Sequence, residues 1–592
     1  MVPALRDGLP AAPALVGLES RGGLDRADAQ PPRKAHATRA AVTAMAPTTI
    51  ATSAARRSCL RKGLNPIRRC YPGVRIRSVP EPERELFAFW RILSQLLPML
   101  QVMFASTNSV ALVGVEARAV RVEAHVGGGE KGRLNVVGLP DTAVREAKDR
   151  VMAAMSVAGY RFPPKTVTVN LAPADLPKSG SAYDLPIALA LLAAAGEIPK
   201  GACQVVALGE LALDGRIRPA RGGLGAAIVA SDMGVPCVLP PGAAEEASIV
   251  SSAEVRMAGS LGAAIAAALG EGDFRPPPPA EPPTVPMPDL SEVRGQPLAK
   301  RALEVAAAGG HHLLLSGAPG SGKTMLARCL PGVLPALDAR TALEVAQVWS
   351  SAGRPRPAMF QPPIRSPHHT ATTAAVIGGG SGIPVPGEIS MAHRGVLFLD
   401  ELGEFPPSLL DGLRQPLEEG QVTIARKGVS VTFPAMVQLV AATNPCPCGY
   451  DGDHRHGCSC SDRMKQRYKR RLSGPLMDRF DIRIKVNRVD PDAMIGPPEE
   501  PSSEVTKRIA SAREAQELRG CRNRDLSRTA LDSLEAALGA KRLVEGALRH
   551  GSLTGRGFDR VRRLSRTIAD LAGSIAVEEP HAAEALALRG LV

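Results

Sequence analysis

The run His311-His-Leu-Leu-Leu-Ser-Gly-Ala-Pro-Gly-Ser-Gly-Lys-Thr324 decides how the rest of the chain is read. Its three leucines predict a short buried parallel strand, and residues 325–330 suit a helix, so the glycine-rich loop sits at a strand-to-helix turn. A phosphate belongs at such a turn, because the backbone N–H groups of a helix N-terminus converge on anionic oxygens. Along Gly317, Ala318, Pro319, Gly320, Ser321 and Gly322 the backbone can close around phosphate oxygens. Lys323 can then reach the β- and γ-phosphates, and the Thr324 hydroxyl can ligate Mg²⁺. A nucleoside triphosphate is expected, with ATP and Mg²⁺ as the cofactors.

Downstream, Gly395-Val-Leu-Phe-Leu-Asp-Glu401 predicts a second buried strand ending in two acids. Asp400 at its carboxyl end can hold Mg²⁺ through water, and Glu401 can orient and deprotonate an attacking water. A third buried strand over residues 437–443 ends in Asn444, placed to contact the γ-phosphate or the water, or else simply to turn the chain before Pro445.

The chain has 592 residues, 44% hydrophobic and 22% charged, with a net charge of +14. Such a basic balance invites a nucleic-acid reading. Yet residues 1–102 hold 16 Lys/Arg and 7 Asp/Glu, so the tail alone supplies +9 and the body is only mildly basic. The tail, rich in Pro, Ala, Arg and Ser without a sustained period, reads as a disordered or artefactual extension, with Met103 a plausible start. No apolar run reaches the length of a membrane span, and reduced thiols in a cytoplasmic protein are expected.

The expected organisation is an α+β unit over 103–270, a Pro-rich spacer over 271–288, an α/β ATPase unit over 289–490 and a helical lid over 491–592. In the front unit, strands are read at 111–115, 119–125, 134–137, 166–171 and 204–208, with helices at 142–158 and 185–195. The loop Ala172-Pro-Ala-Asp-Leu-Pro-Lys-Ser-Gly-Ser-Ala-Tyr-Asp184 and the turn Gly209-Glu210 resemble the proteolytic domain of Lon-type proteases, which shares its fold with a ribosomal S5 domain. That resemblance implies a Ser nucleophile and a Lys base. Aligned on Lys178 and Gly180, the nucleophile position holds Ala182, and near the base position stand Leu224 and Gly225. Ser179 and Ser181 are neighbouring hydroxyls with no base, so peptidase activity is not expected.

Cys446-Pro-Cys448 and Cys458-Ser-Cys460 offer four thiolates within one loop, the number a structural Zn²⁺ takes, though spaced more tightly than the usual Cys-x2-Cys. His454 and His456 are substitute ligands, and four reduced thiols in a turn are the alternative.

The three strands, together with the approach Asp289-Leu-Ser-Glu-Val-Arg-Gly-Gln296, resemble an AAA+ ATPase. Arg365-Ser-Pro-His-His-Thr370, Pro386-Gly-Glu-Ile-Ser-Met-Ala-His-Arg394 and Ala442-Thr-Asn-Pro-Cys-Pro-Cys-Gly449 resemble its magnesium-chelatase-like branch. With the Lon-like unit in front, the match is to the ComM/YifB family over residues 107–592. The resemblance implies a homo-oligomeric ring, a hexamer, with ATP held between subunits, acting on single-stranded or branched DNA in branch migration. Arg479 then matches the arginine finger, with Arg470 and Arg471 as rivals, and Arg556 matches the sensor arginine, with Arg560 one turn on. Two inserts are expected: a mobile glycine-rich one over 365–394, and a hairpin over 421–433 whose tip, Arg426 and Lys427, suits either DNA phosphates or solvent. A chelatase motor and a nucleotide-dependent scaffold or chaperone are the competing readings.

Overall fold

A computed structural model describes residues 103–127, 132–178, 180–277, 285–380, 384–426, 429–452, 456–472, 474–497 and 499–590. The tail 1–102, Ser179, Lys427 and His454 lie outside the described residues.

The front part is built on a seven-stranded sheet. Its strands are β1 (Phe104–Val113), β2 (Glu116–Val126), β3 (Leu134–Val137), β4 (Val167–Ala172), β5 (Val206–Ala207), β8 (Cys237–Leu239) and β9 (Val255–Met257), with a side hairpin of β6 (Glu210–Leu211) and β7 (Ile217–Arg218). The order across the sheet is β3-β4-β2-β1-β5-β8-β9. Strand β1 begins at Phe104, well before the apolar alternation at Ala111. The inward positions there include Thr107 and Ser109, fully buried hydroxyl residues that break the apolar pattern without breaking the pleat. Thr107 makes this tolerable by donating to the Val205 carbonyl at 3.3 Å. The helix expected over 142–158 divides at Glu146 into a single turn, Thr142–Arg145, and α1 (Ala147–Val157). Arg150 reaches back to the Ala143 carbonyl at 2.9 Å, satisfying an acceptor left over at the break. Helix α2 (Asp184–Ala195) is all Leu, Ile and Ala behind its first turn and is buried on nearly every side, so it is the centre of this core.

The second part carries a five-stranded parallel sheet of β10 (Leu313–Ser316), β11 (Ile364–Arg365), β14 (Val396–Leu399), β17 (Gln438–Thr443) and β18 (Ile482–Lys485), ordered β11-β14-β17-β10-β18. Leu313 pairs with Val440 on one side and Ile482 on the other, so the middle strands are covered on both faces and read as unbroken apolar runs. The parallel register has one consequence for chemistry. It brings the residues after β10, β14 and β17 to the same edge of the sheet. Helix α5 (Pro297–Gly309) and α6 (Lys323–Val333) pack on this sheet, as does α9 (Ser502–Leu518). Helices α10 (Leu538–Arg549), α11 (Gly555–Leu571) and α12 (Glu579–Leu588) share the same apolar core, in which Ile509, Val561, Leu564 and Ile568 meet Leu303 and Leu330.

The glycine-rich insert is folded rather than loose. A short helix Thr373–Ile377 buries Val376, β12 (Gly378–Gly379) pairs with β13 (Val385–Pro386), and Arg365 clamps Glu388 while lying 5.5 Å over the Trp349 ring. The second insert is the expected hairpin, β15 (Gln421–Arg426) against β16 (Val429–Pro434), in register from Gln421↔Pro434 to Arg426↔Val429. Helix α7 (Ala339–Ser351) joins the two parts, since Ala346 is buried among Leu224, Ala227 and Val229 of the front sheet's covering helix.

Candidate functional site

The chemistry gathers where the parallel strands end. The loop after β10 is held by close approach: a Cβ on Gly317 would meet the Val486 carbonyl oxygen at 2.2 Å, so only glycine lets the loop lie this close to the chain leaving β18. Beyond it, Gly320 and Gly322 face open space, which is where phosphate oxygens would sit. Lys323 turns back into the loop, donating to the Gly317 carbonyl at 2.8 Å, the Ala318 carbonyl at 2.9 Å and Asn444 Oδ1 at 3.3 Å. Burial lowers the Lys323 pKa from the ordinary lysine value, opposed by the charges of Asp400 and Glu401. Thr324 donates to Asp400 Oδ2 at 2.8 Å, so the two residues expected at Mg²⁺ already touch. Ser321, whose hydroxyl is buried without a partner among the described residues, adds a donor with no internal use there. The donor set suits a triphosphate with a divalent cation.

Glu401 sits at φ +52°, a left-handed conformation that costs a non-glycine residue of order 1–3 kcal/mol and is found at functional sites. Its carboxylate is 3.3 Å from His369 Nδ1, and the His369 ring meets Phe405 edge-on. His369 stands within the motif Arg365–Thr370, which by itself gives no sign of a role for it. The contact exists because β11 pairs with β14, Ile364 opposite Val396, which carries the loop after β11 to the acid pair.

The four cysteines expected at a metal converge. Their sulfurs all lie within 4.8 Å of one another, with Cys446 to Cys448 at 3.4 Å, Cys446 to Cys458 at 3.7 Å and Cys448 to Cys458 at 3.6 Å; Cys460 accepts from the Cys448 N–H at 3.4 Å. Zinc–sulfur bonds of about 2.3 Å in a tetrahedron place sulfurs roughly 3.8 Å apart, so the quartet fits Zn²⁺. His456 stacks on Tyr450 at 5.0 Å and lies outside the quartet. The same loop rests on the phosphate loop, Gly449 against Pro319.

Comparison with known proteins matches three stretches of the chain. Residues 289–494 match the family described as magnesium chelatase, subunit ChlI; residues 122–243 match subunit ChlI of Mg-chelatase, and residues 499–589 the ChlI C-terminal region. YifB of Escherichia coli is 42% identical over 494 residues, 81% of this chain and 96% of that protein. Competence protein ComM of Haemophilus influenzae is 40% identical over 507 residues, 82% of this chain and 98% of that protein. The chain belongs to the YifB/ComM family. Lon protease 2 of Bacillus subtilis is 32% identical over 151 residues, 22% of this chain and 26% of that protein.

In this YifB/ComM-family chain the front part offers no dyad at the aligned positions. Ala182 is buried, as are Leu224 and Gly225. Ser181 bonds the Glu210 carboxylate, and buried Lys178 donates to the Pro173 carbonyl. Arg479 lies at the other end of the sheet from the phosphate loop, in a cavity of about 720 Å³ also lined by Glu418, Asp481, Arg524, Arg560 and Arg563. Arg479 pairs with Glu418, and its Nε is buried without a hydrogen-bond partner among the described residues. Arg560, half-buried in the same cavity, contacts Asp481 at 3.1 Å and leaves Nη1 without a hydrogen-bond partner among the described residues. Burial would raise the Asp481 carboxyl, but the His311 and His312 imidazoles and Arg560 hold it well below the usual carboxylate range. His312 is pushed down to about 3, mainly by burial, and so is neutral, accepting from the Leu439 N–H at 2.9 Å. Arg556 stands exposed at the start of α11, away from any ion pair among the described residues. Arg470 is exposed, and Arg471 lies 3.8 Å from Glu404. Arg426 is exposed at the hairpin tip.

Proposed function

We propose that this chain is an ATP-driven DNA motor, a ring of six copies that promotes branch migration when incoming DNA is integrated. In this reading residues 289–490 form an AAA+ unit, 103–270 a Lon/S5-like unit without its dyad that binds or couples, and 491–592 a lid. The observation that carries it is the convergence of Lys323, Thr324, Asp400 and Asn444 on one phosphate loop, with Glu401 beside them.

Bound Mg²⁺ would neutralise charge on the β- and γ-phosphates. Lys323 would give up its loop carbonyls to contact those phosphates, Thr324 and Asp400 would hold the cation, and Asn444 would position the γ-phosphate or the water. Glu401, once free of His369, accepts a proton from the attacking water. Arg479 cannot serve its own site. The register Leu313↔Ile482 places it before β18 begins, while the phosphate loop follows β10, so at least the four-residue strand, roughly 13 Å, separates them. An arginine with a buried, unpartnered nitrogen at the far end of the sheet suits a neighbour's phosphate instead. Arg560 shares that cavity and Arg556 stands one turn away. The cysteine quartet, as a structural Zn²⁺ site, would steady the chain directly after Asn444. DNA is supported by the likeness to competence protein ComM of Haemophilus influenzae and by the cations of the hairpin turn, Arg426 and Lys427.

ATP turnover measured with branched DNA, with single strands and without polymer tests this reading. Branched DNA should give the highest rate; equal rates in all three would favour a scaffold and overturn the motor.

A further inference from the structure

Helix α8 (Asp462–Arg471) follows the cysteine quartet with only Ser461 between, and Ser461 caps it by accepting from the Met464 N–H at 3.4 Å. Six of its ten residues are cations, Arg463, Lys465, Arg467, Lys469, Arg470 and Arg471, and the single acid is Asp462. Two of the six are used internally: Lys465 bonds Asp451 at 2.7 Å, and Arg471 lies 3.8 Å from Glu404. Arg463, Arg467 and Arg470 are exposed and make no ion pair among the described residues. Spaced i, i+4 and i+7, they form one stripe on the side of the helix away from Tyr468. Tyr468 is the anchor, buried against Gly403 with its hydroxyl 3.3 Å from Thr443.

Helix stability does not account for the stripe. Cations in the last turn complement the helix dipole, but Arg463 in the first turn opposes it, and like charges at i, i+4 repel. A row of cations held in place by a buried tyrosine and a clustered cysteine loop is a surface waiting for a polyanion. The stripe is about 10 Å long, enough for roughly three phosphates of one strand. The neighbouring loop is tied to the helix through Asp451, and its Tyr450 ring stacks on His456 at 5.0 Å with the Arg488 guanidinium 5.7 Å from its centre. A regular row of three exposed cations suits the repeating charge of a nucleic-acid strand better than the scattered carboxylates of an acidic protein surface.

We infer that helix α8, anchored beside the cysteine quartet, is a nucleic-acid-binding surface on which Arg463, Arg467 and Arg470 grip the phosphates of a single strand. This rests on the reading of the chain as a DNA motor. The test uses the full-length protein and a fluorescein-labelled oligothymidylate, with affinity followed by fluorescence anisotropy over a range of salt. Wild type must bind; no binding by wild type would end the motor reading itself. With wild type binding, Arg463→Gln/Arg467→Gln should weaken affinity and flatten the dependence of log K on log salt by about 1.4, that is about 0.7 per lost cation. Arg463→Lys/Arg467→Lys, which keeps the charge, should retain most of both. Unchanged affinity and salt slope in the Gln pair would overturn the inference. So would loss of ring assembly with DNA affinity intact, because the stripe would then serve a neighbouring subunit.

Discussion

Replacing Gly449 by Ala should weaken ATP binding although residue 449 contacts no phosphate. Gly449 has φ +85°, and a Cβ there would stand 2.5 Å from Pro319 Cδ and 2.7 Å from Pro319 Cγ. The left-handed backbone costs an alanine about 1–2 kcal/mol. Forcing a methyl against a rigid ring costs typically 1–3 kcal/mol more. Proline cannot swing aside as a long side chain can, so the second cost is relieved by pushing the phosphate loop away from the cysteine loop. If that contact term falls on the nucleotide-binding conformation, 1–3 kcal/mol corresponds to a loss of ATP affinity of roughly 5- to 150-fold. Gly452→Ala is the matched control. It has φ +75°, but its nearest neighbour is the flexible end of Lys485 at 3.2 Å, so it carries the backbone cost without the contact. Titration with a fluorescent ATP analogue, alongside thermal denaturation, separates the two. Equal ATP affinity in Gly449→Ala and Gly452→Ala would refute the idea that the cysteine loop buttresses the phosphate loop.

Other consequences are as direct. Lys323→Ala should abolish ATP binding in the same titration, whereas Glu401→Gln should bind ATP and lose turnover by about 10²–10⁴-fold; an active Glu401→Gln enzyme would remove Glu401 as the base. Asp481 is buried against Arg560, so Asp481→Asn should cost about 3 kcal/mol near neutral pH by leaving a half-buried guanidinium unpaired. Because the folded Asp481 carboxyl lies below its unfolded value of about 4, that stabilisation is full above pH ~4 and fades as pH falls further. Melting curves of the two proteins should therefore converge on acidification, and curves that coincide at pH 7 would contradict the assignment. Treatment with a strong chelator should release about one zinc per chain, and well under one would end the zinc reading.

The parallel sheet was legible because its central strands are buried on both faces and appear as Leu-Leu-Leu, Val-Leu-Phe-Leu and Leu-Val-Ala-Ala, each followed by a residue of the site. The phosphate loop, the acid pair and Asn444 follow directly from that pattern. What escaped depends on packing between distant segments. Thr107 and Ser109 concealed the start of β1, since inward hydroxyl residues do not look apolar; the Thr107 hydroxyl is satisfied by the Val205 carbonyl, while Ser109 Oγ is buried without a partner among the described residues. His369 reaches Glu401 only through the pairing of β11 with β14. Arg556 and Arg560 are one turn apart and equivalent on a helical wheel; Asp481, brought in by β18, draws Arg560 into the cavity. The insert over 365–394 read as loose because of its glycines, yet Gly378 and Gly387 pack backbone on backbone, a use of glycine that composition alone cannot distinguish from mobility.

If each ATP is completed by the adjacent subunit, mixing two dead variants should restore activity. Arg479→Ala keeps its phosphate loop and Lys323→Ala keeps its finger, so neither should turn over ATP alone. In a heterologous ring assembled from equal amounts, about a quarter of the interfaces pair an intact loop with an intact finger, and ATP turnover should return to roughly that fraction of wild type. A mixture as inactive as its components, or an Arg479→Ala protein that hydrolyses ATP unaided, would contradict it.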